Sequence, residues 1–121
     1  MERIQFTTYK GKKILIEDFT KLGPGSDFEE AIKKAQKTIA AEPEKSVLAV
    51  FDATGCSFNT EMLNMVKEFT KANTPYIKKA TVVGMSGLLQ VALTAVSKFS
   101  GREFITYKTR EEAMDFLASL E

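Results

Sequence analysis

The feature that most constrains the fold is the segment SVLAVFD at residues 46–52, which is apolar on both faces of an extended chain. A strand of this kind is typical of the interior of a parallel sheet that is covered on two sides. A second segment of the same type, ATVVGM, follows at residues 80–85. Because such strands alternate with helices in α/β proteins, the two segments favour that fold class.

The first twenty residues predict a β-hairpin. Residues 2–9 and 12–19 alternate apolar with polar side chains, and Lys10-Gly11 between them suits a tight turn. In the second of these strands the alternation places Ile14 and Ile16 toward the core and Lys13 and Glu17 toward solvent.

Helical spacing of apolar residues predicts four helices, at 26–42, 60–72, 86–99 and from Thr109 onward, and a fifth strand is expected at 102–108. Ser26 with Glu29, and Thr109 with Glu112, have the spacing of capping boxes. The order β–β–α–β–α–β–α–β–α predicts one domain over residues 1–121. Its fold would be α/β: a five-stranded mixed sheet with an N-terminal hairpin, right-handed crossovers and four main helices.

Composition argues against several functions. The 17 basic and 16 acidic residues leave a net charge of +1, so no basic excess points to nucleic acid. The chain has no histidine and one cysteine, which excludes a Ser–His–Asp triad and a thiolate-rich metal cage. We therefore expect a protein that is not an enzyme, with no catalytic residue, no metal and no cofactor.

The apolar segments are short. The most apolar ones, at 46–51 and 88–96, cannot span a bilayer, and the N-terminal residues lack the apolar core of a signal peptide. With one cysteine and no internal disulfide, these features predict a cytoplasmic protein without an integral membrane segment.

A polar turn follows the first interior strand and is the main candidate site. It contains the residues that we single out for a possible interaction: Asp52, Thr54, Cys56, Phe58, Asn59, Thr60 and Glu61. Ser86 and Gly87 follow the next interior strand, and carboxyl ends of parallel strands meet at one edge of a sheet. Ser86 and Thr60 would then form a polar or anion site. The structural alternative is that Ser86 and Asn59 cap helices while the glycines permit tight turns.

The helix predicted at 86–99 is unusually apolar. Its apolar residues spread over roughly 200° of the circumference, about twice the arc of helix 26–42. Leu89 and Leu93 lie at the edge of that arc and need a neighbour. Three covers are open: the helix at 60–72 through Met62 and Met65, a second subunit, or an apolar ligand.

The C-terminal segments VVGMSG, KFSGRE and EEAMDFL, together with the order of elements, resemble the SpoIIAA-like branch of the STAS domains. The fold of that family is related to the lipid-binding CRAL-TRIO domains. The resemblance implies a bacterial regulatory module in which a Phe-x-Asp-Ser-Ser-Gly turn carries a phosphorylated serine. Here Phe58 fits the phenylalanine, but Asn59 to Met62 replace the rest, so the acceptor position falls on Thr60 or Glu61.

Two functions follow as expectations. The first is a non-catalytic STAS-type binding module, without the usual phosphoswitch, that associates with a protein partner or with itself as a homodimer. The second is a carrier or sensor of a small apolar, lipid-like ligand, which would need an enclosed cavity beside helices 60–72 and 86–99. An enzyme is the least favoured reading, and it would require carboxylates such as Asp18 and Asp52 to meet.

Overall fold

A computed structural model describes residues 2–85 and 87–120, and Ser86 lies outside the described residues. The strands are β1 (Ile4–Tyr9), β2 (Lys12–Asp18), β3 (Val47–Asp52), β4 (Ile77–Val83) and β5 (Ile105–Tyr107). The helices are α1 (Ser26–Ala40), α2 (Thr60–Asn73), α3 (Leu88–Ser100) and α4 (Arg110–Ala118), with a short 3₁₀ turn at Thr74–Tyr76. The predicted α/β fold with five strands and four helices is confirmed.

The five strands form one mixed sheet in which spatial order follows chain order. β1 runs antiparallel to β2, and β2, β3, β4 and β5 are parallel to one another. Lys10 and Gly11 both have positive φ, 49° and 83°. Such a pair forms the two-residue turn whose twist suits a hairpin, so the predicted turn is confirmed.

The helices cover both faces of the sheet. Phe28 of α1 and Phe69 of α2 belong to one buried cluster with Leu15 and Ala49 of the sheet. Ala113 and Leu117 of α4 pack with Ile14, Ile16 and Val50 on the opposite face. α3 packs against α2. Because α1, α2 and α3 share a face while the strand order advances steadily, the three crossovers have one common hand, and nearly all such crossovers are right-handed.

Three local predictions need correction. Gly25, with φ 138°, is the N-cap of α1, and no side chain caps that helix, so the Ser26 capping box is wrong. β4 begins three residues earlier than predicted and ends at Val83. β5 has only three residues, because pairing with β4 begins at Ile105 and ends at Tyr107, so residues 102–104 are not part of the sheet. Thr109 does cap α4, by accepting a hydrogen bond from the backbone N–H of Glu112.

β2 was predicted as a half-solvated strand, and that prediction is wrong. Leu15 packs with residues of α1 and α2 on one face of the sheet, Ile14 and Ile16 pack with α4 on the other, and residues 14–17 of β2 are all buried. Glu17 was expected to face solvent, yet it is only 3% exposed. An acidic side chain therefore lies inside the protein beneath the α1–α3 layer.

Within the described residues, no helix combines the length and the apolarity that crossing a membrane requires.

Candidate functional site

The carboxyl ends of β2 and β3 carry the same short motif. Asp18 and Asp52 are register partners in the parallel pair. Each carboxylate accepts hydrogen bonds from the backbone N–H, at 3.0 Å, and the hydroxyl, at 2.6 Å, of the threonine two residues later, Thr20 or Thr54. The two Asp-x-Thr turns thereby fix the chain direction where each strand ends.

Arg110 of α4 joins these two aspartates. Its Nε donates to Asp52 Oδ2 at 2.6 Å, and its second terminal nitrogen lies 3.1 Å from Asp18 Oδ2. Burial raises the pKa of Asp18, but hydrogen bonds from Thr20 and Arg110 outweigh it and hold that pKa below its usual value. The sequence reading asked whether these carboxylates meet. They do, and both are held in ion pairs: Arg110 contacts the two of them, and Arg3 lies 3.5 Å from Asp18, an arrangement that does not suit general acid–base catalysis.

The predicted interaction turn is tied to the segment after β2. The backbone N–H of Ser57 donates to the Leu22 carbonyl, and that of Lys21 donates to the Thr54 carbonyl. Cys56 is buried, and burial raises the pKa of its thiol to about 11. The thiol lies in the apolar core, where the charged thiolate is disfavoured.

The start of α2 has the geometry of an ordinary capped helix. The side chain of Asn59 accepts a hydrogen bond from the backbone N–H of Met62 at 2.8 Å. Thr60 and Glu61 are exposed on the first turn, and Met62 is buried in the core at 1% exposure. Asn59 therefore caps α2, as the structural alternative predicted.

The ends of β3 and β4 meet as predicted. The backbone N–H of Ala53 donates to the Val83 carbonyl, and Gly84 lies so close to Thr54 that an added Cβ would stand 2.2 Å from the threonine hydroxyl. Ser86, the predicted partner of this edge, lies outside the described residues. Gly87 is exposed and occupies the N-cap position of α3, where no side chain of the described residues caps the helix.

A cavity of about 60 Å³ lies between the sheet and the helices α2 and α3. Its lining comes from several elements and is mostly apolar: Phe51 from β3, Val66 and Phe69 from α2, Leu93 and Val96 from α3, and Phe104 after it. The described polar lining residues are Glu17, Thr70, Asn73, Thr81 and Arg102. The cavity is thus an apolar chamber with a few polar groups, which is the usual make-up of a small-molecule site.

Glu17 is the most unusual group in this lining. Its Oε1 is buried and has no hydrogen-bond partner among the described residues. Burial raises the pKa of the carboxyl to about 8, although the Arg102 guanidinium acts to lower it. At neutral pH the side chain is therefore mostly the uncharged acid, which can donate one hydrogen bond and accept others.

Arg102, at the end of α3, brings a positive charge to the same cavity. Its guanidinium donates to the Thr70 carbonyl at 3.1 Å and to Asn73 Oδ1, and it lies 4.9 Å from the centre of the Phe104 ring. Burial lowers the pKa of Arg102, and Glu17 acts to raise it. Within the described part of the chain, no carboxylate lies within ion-pair distance of Arg102. The arginine is held in place by neutral groups, and it lines the cavity.

Several predicted residues belong to this cavity rather than to the protein surface. Phe58 and Leu93 line it, and the Phe58 ring also packs edge-on against Phe28 at 6.0 Å. Leu89 and Met65 are half-buried. Of the three covers considered for α3, the structure provides α2 and leaves a chamber beside Leu93.

Glu17 and Arg102 were missed by the sequence analysis. A usable signal was present for the first of them. Residues 14–16, Ile-Leu-Ile, form a continuous apolar run like that of β3. Such a run indicates a strand that is buried on both faces, and Glu17 is the next residue of that strand. Arg102 had no comparable signal, because an arginine after a helix-terminating glycine is ordinary at a surface.

No group of three or more potential metal-binding side chains occurs in residues 2–85 and 87–120. Comparisons of the chain with protein-family models, with curated proteins and with solved structures found no match.

Proposed function

We propose that the protein is a binding module for a small apolar ligand, which occupies the cavity between the sheet, α2 and α3. The observation that carries this proposal is the cavity itself: about 60 Å³, walled by aromatic and aliphatic side chains from the sheet and from helices α2 and α3. A space needs about 10–15 Å³ to hold one water, so a ligand portion of roughly four to six non-hydrogen atoms would fit.

The placement of α3 supports the proposal. α3 lies between two glycines, Gly87 and Gly101, and both have positive φ, 46° and 73°. It packs on α2, while its residues Ala92, Leu93 and Val96 face the chamber rather than filling it. The wide apolar arc of α3 is thus accounted for by its contact with α2 and by the lining of the cavity.

The test is a titration with straight-chain alcohols from 1-propanol to 1-hexanol, followed by NMR of the methyl groups of Leu93 and Val96. Each added methylene should tighten binding roughly fourfold, since it contributes about 0.8 kcal/mol, until the chain exceeds the cavity. Ala92→Leu, which fills the chamber, should abolish binding. Thr94→Leu, at an exposed position of the same helix, should not. Shifts that are absent, or that persist in Ala92→Leu, would contradict the proposal.

We also propose, as a second candidate, a protein-binding role for the outer face of α3. Val91 is 68% exposed and Phe99 is 44% exposed, and Phe99 is flanked by Lys67 and Lys71 of α2. An exposed apolar pair rimmed by lysines suits contact with another protein. The STAS resemblance supports the same role.

Val91→Asp tests this second candidate. It should reduce self-association in light scattering, or capture of a partner, while leaving alcohol binding unchanged. Equal association of Val91→Asp and wild type would reject the role of this face.

A further inference from the structure

We propose that the ligand of this cavity is a short-chain monocarboxylate, held by the Arg102 guanidinium and by the carboxyl group of Glu17. This inference rests on the proposed ligand-binding function and adds the chemistry of the ligand's polar end. Two groups that line the cavity support it: the Glu17 carboxyl, whose Oε1 has no hydrogen-bond partner among the described residues, and the Arg102 guanidinium, which has no carboxylate at ion-pair distance among them.

The first group is the buried carboxyl. Glu17 is 3% exposed, its Oε1 has no hydrogen-bond partner among the described residues, and it lines the cavity. Leaving such an atom without a hydrogen bond is unfavourable, because it has lost its water contacts and gained no replacement. A ligand atom that exchanges a hydrogen bond with this carboxyl would recover that loss.

The second group is the guanidinium. Arg102 is fixed by the Thr70 carbonyl and Asn73 Oδ1, which are neutral acceptors. Its charge meets no carboxylate at ion-pair distance within the described residues, and Glu17 is mostly protonated at neutral pH. Arginine recognises carboxylates through charge-assisted hydrogen bonds, which are stronger than neutral ones.

The charges in the lining select the ligand's sign. Glu17 and Arg102 are the ionisable groups among the described lining residues, contributed by β2 and by the segment after α3. With Glu17 uncharged the chamber is positive, so an ammonium ligand would be repelled. A carboxylate ligand would accept hydrogen bonds from both groups, while its alkyl chain would lie against Phe69, Leu93 and Val96.

The experiment compares three probes of equal chain length: butanoate, 1-butanol and butylamine. At about pH 6.5, where Glu17 is protonated and butanoate is ionised, butanoate should bind wild type at least tenfold more tightly than 1-butanol. Arg102→Gln should lose this preference. Glu17→Gln keeps a donor and should retain it, and Glu17→Leu should reduce it. Folding of each variant is checked by its binding of 1-butanol.

A pH series separates the two groups. Raising the pH to about 10 ionises Glu17, so wild type should lose its preference for butanoate, whereas Glu17→Gln should keep it. If 1-butanol binds and butanoate is not preferred, or if butylamine binds best, the carboxylate assignment is overturned and the apolar site stands. If none of the three probes binds, the proposed function fails, and this inference fails with it.

Discussion

Asp18 and Asp52 occupy matched positions at the ends of neighbouring parallel strands and share one arginine, Arg110, which bonds to both. Each aspartate also orders the turn after its strand through a threonine two residues later. α4 is thereby fastened to the edge of the sheet where the chain turns toward α1 and α2. The cluster therefore has a structural role: it holds α4, on the face of the sheet opposite the cavity, to the carboxyl ends of β2 and β3.

Arg110→Ala should destabilise the fold by about 1.5–3 kcal/mol, because it removes the ion-pair partner of the buried Asp52 and leaves Asp18 with Arg3 alone. The measurement is urea unfolding at neutral pH. Lys34→Ala is the matched control, since it breaks an exposed ion pair with Glu2 and should cost clearly less than Arg110→Ala. Equal losses in the two variants would show that Arg110 is an ordinary surface residue.

Glu17→Gln should change the pH dependence of stability. The unfolded chain releases this proton near the ordinary glutamate pKa, whereas the folded protein retains it up to about pH 8. Rising pH therefore favours the unfolded state across that window, by up to about 1.4 kcal/mol per pH unit. The variant should lack this slope and should be the more stable protein at pH 7.

Urea unfolding of both proteins at several pH values between about 4 and 9 measures the difference. Glu30→Gln, at an exposed position on α1, provides the control and should parallel wild type. Parallel profiles for wild type and Glu17→Gln would contradict the buried, uncharged state of Glu17.

Gly84→Ala should destabilise the protein by about 2–4 kcal/mol, through backbone strain and a clash together. Gly84 has φ 81°, and an added Cβ would lie 2.7 Å from the Cα of Thr54. Gly11→Ala separates the two effects, since Gly11 has φ 83° and no atom within 4 Å of an added Cβ. It should cost about 1–2 kcal/mol by thermal or urea unfolding. Equal costs would mean that β3 and β4 do not meet as closely as described.

Cys56 should be nearly inert in the native protein. Burial and a pKa of about 11 leave little thiolate at pH 8. A disulfide reagent such as dithiobis-nitrobenzoate should label native protein at least tenfold more slowly than protein in concentrated urea. Equal labelling rates would contradict the burial of the Cys56 thiol.

The fold could be predicted from the sequence because most of its strands, turns and helices have local sequence patterns. The two-sided apolar run before Asp52, the Lys10-Gly11 turn and the Thr109 cap each have a local cause, and each appears in the structure. The ends of β4 and β5 were less predictable, because they depend on pairing with strands that are distant in the sequence.

The candidate site was predicted only in part. Phe58 was singled out as part of the polar turn and Leu93 as part of the apolar arc of its helix, and the structure places both at the cavity. Glu17 and Arg102 come together only through the sheet order and the end of α3, which no local pattern reveals. The pairing of Asp18 with Asp52 follows from parallel register, whereas Arg110, which decides their chemistry, comes from α4 more than fifty residues later.

The most direct test of the account is the pKa of Glu17, measured by following its side-chain carboxyl carbon by NMR over a pH titration. The account predicts a midpoint of about 8, because the group is buried beside an apolar chamber. A midpoint near 4.5, the ordinary value, would show that Glu17 is solvated or paired. The cavity would then lack the uncharged acid on which the proposed recognition of a carboxylate depends.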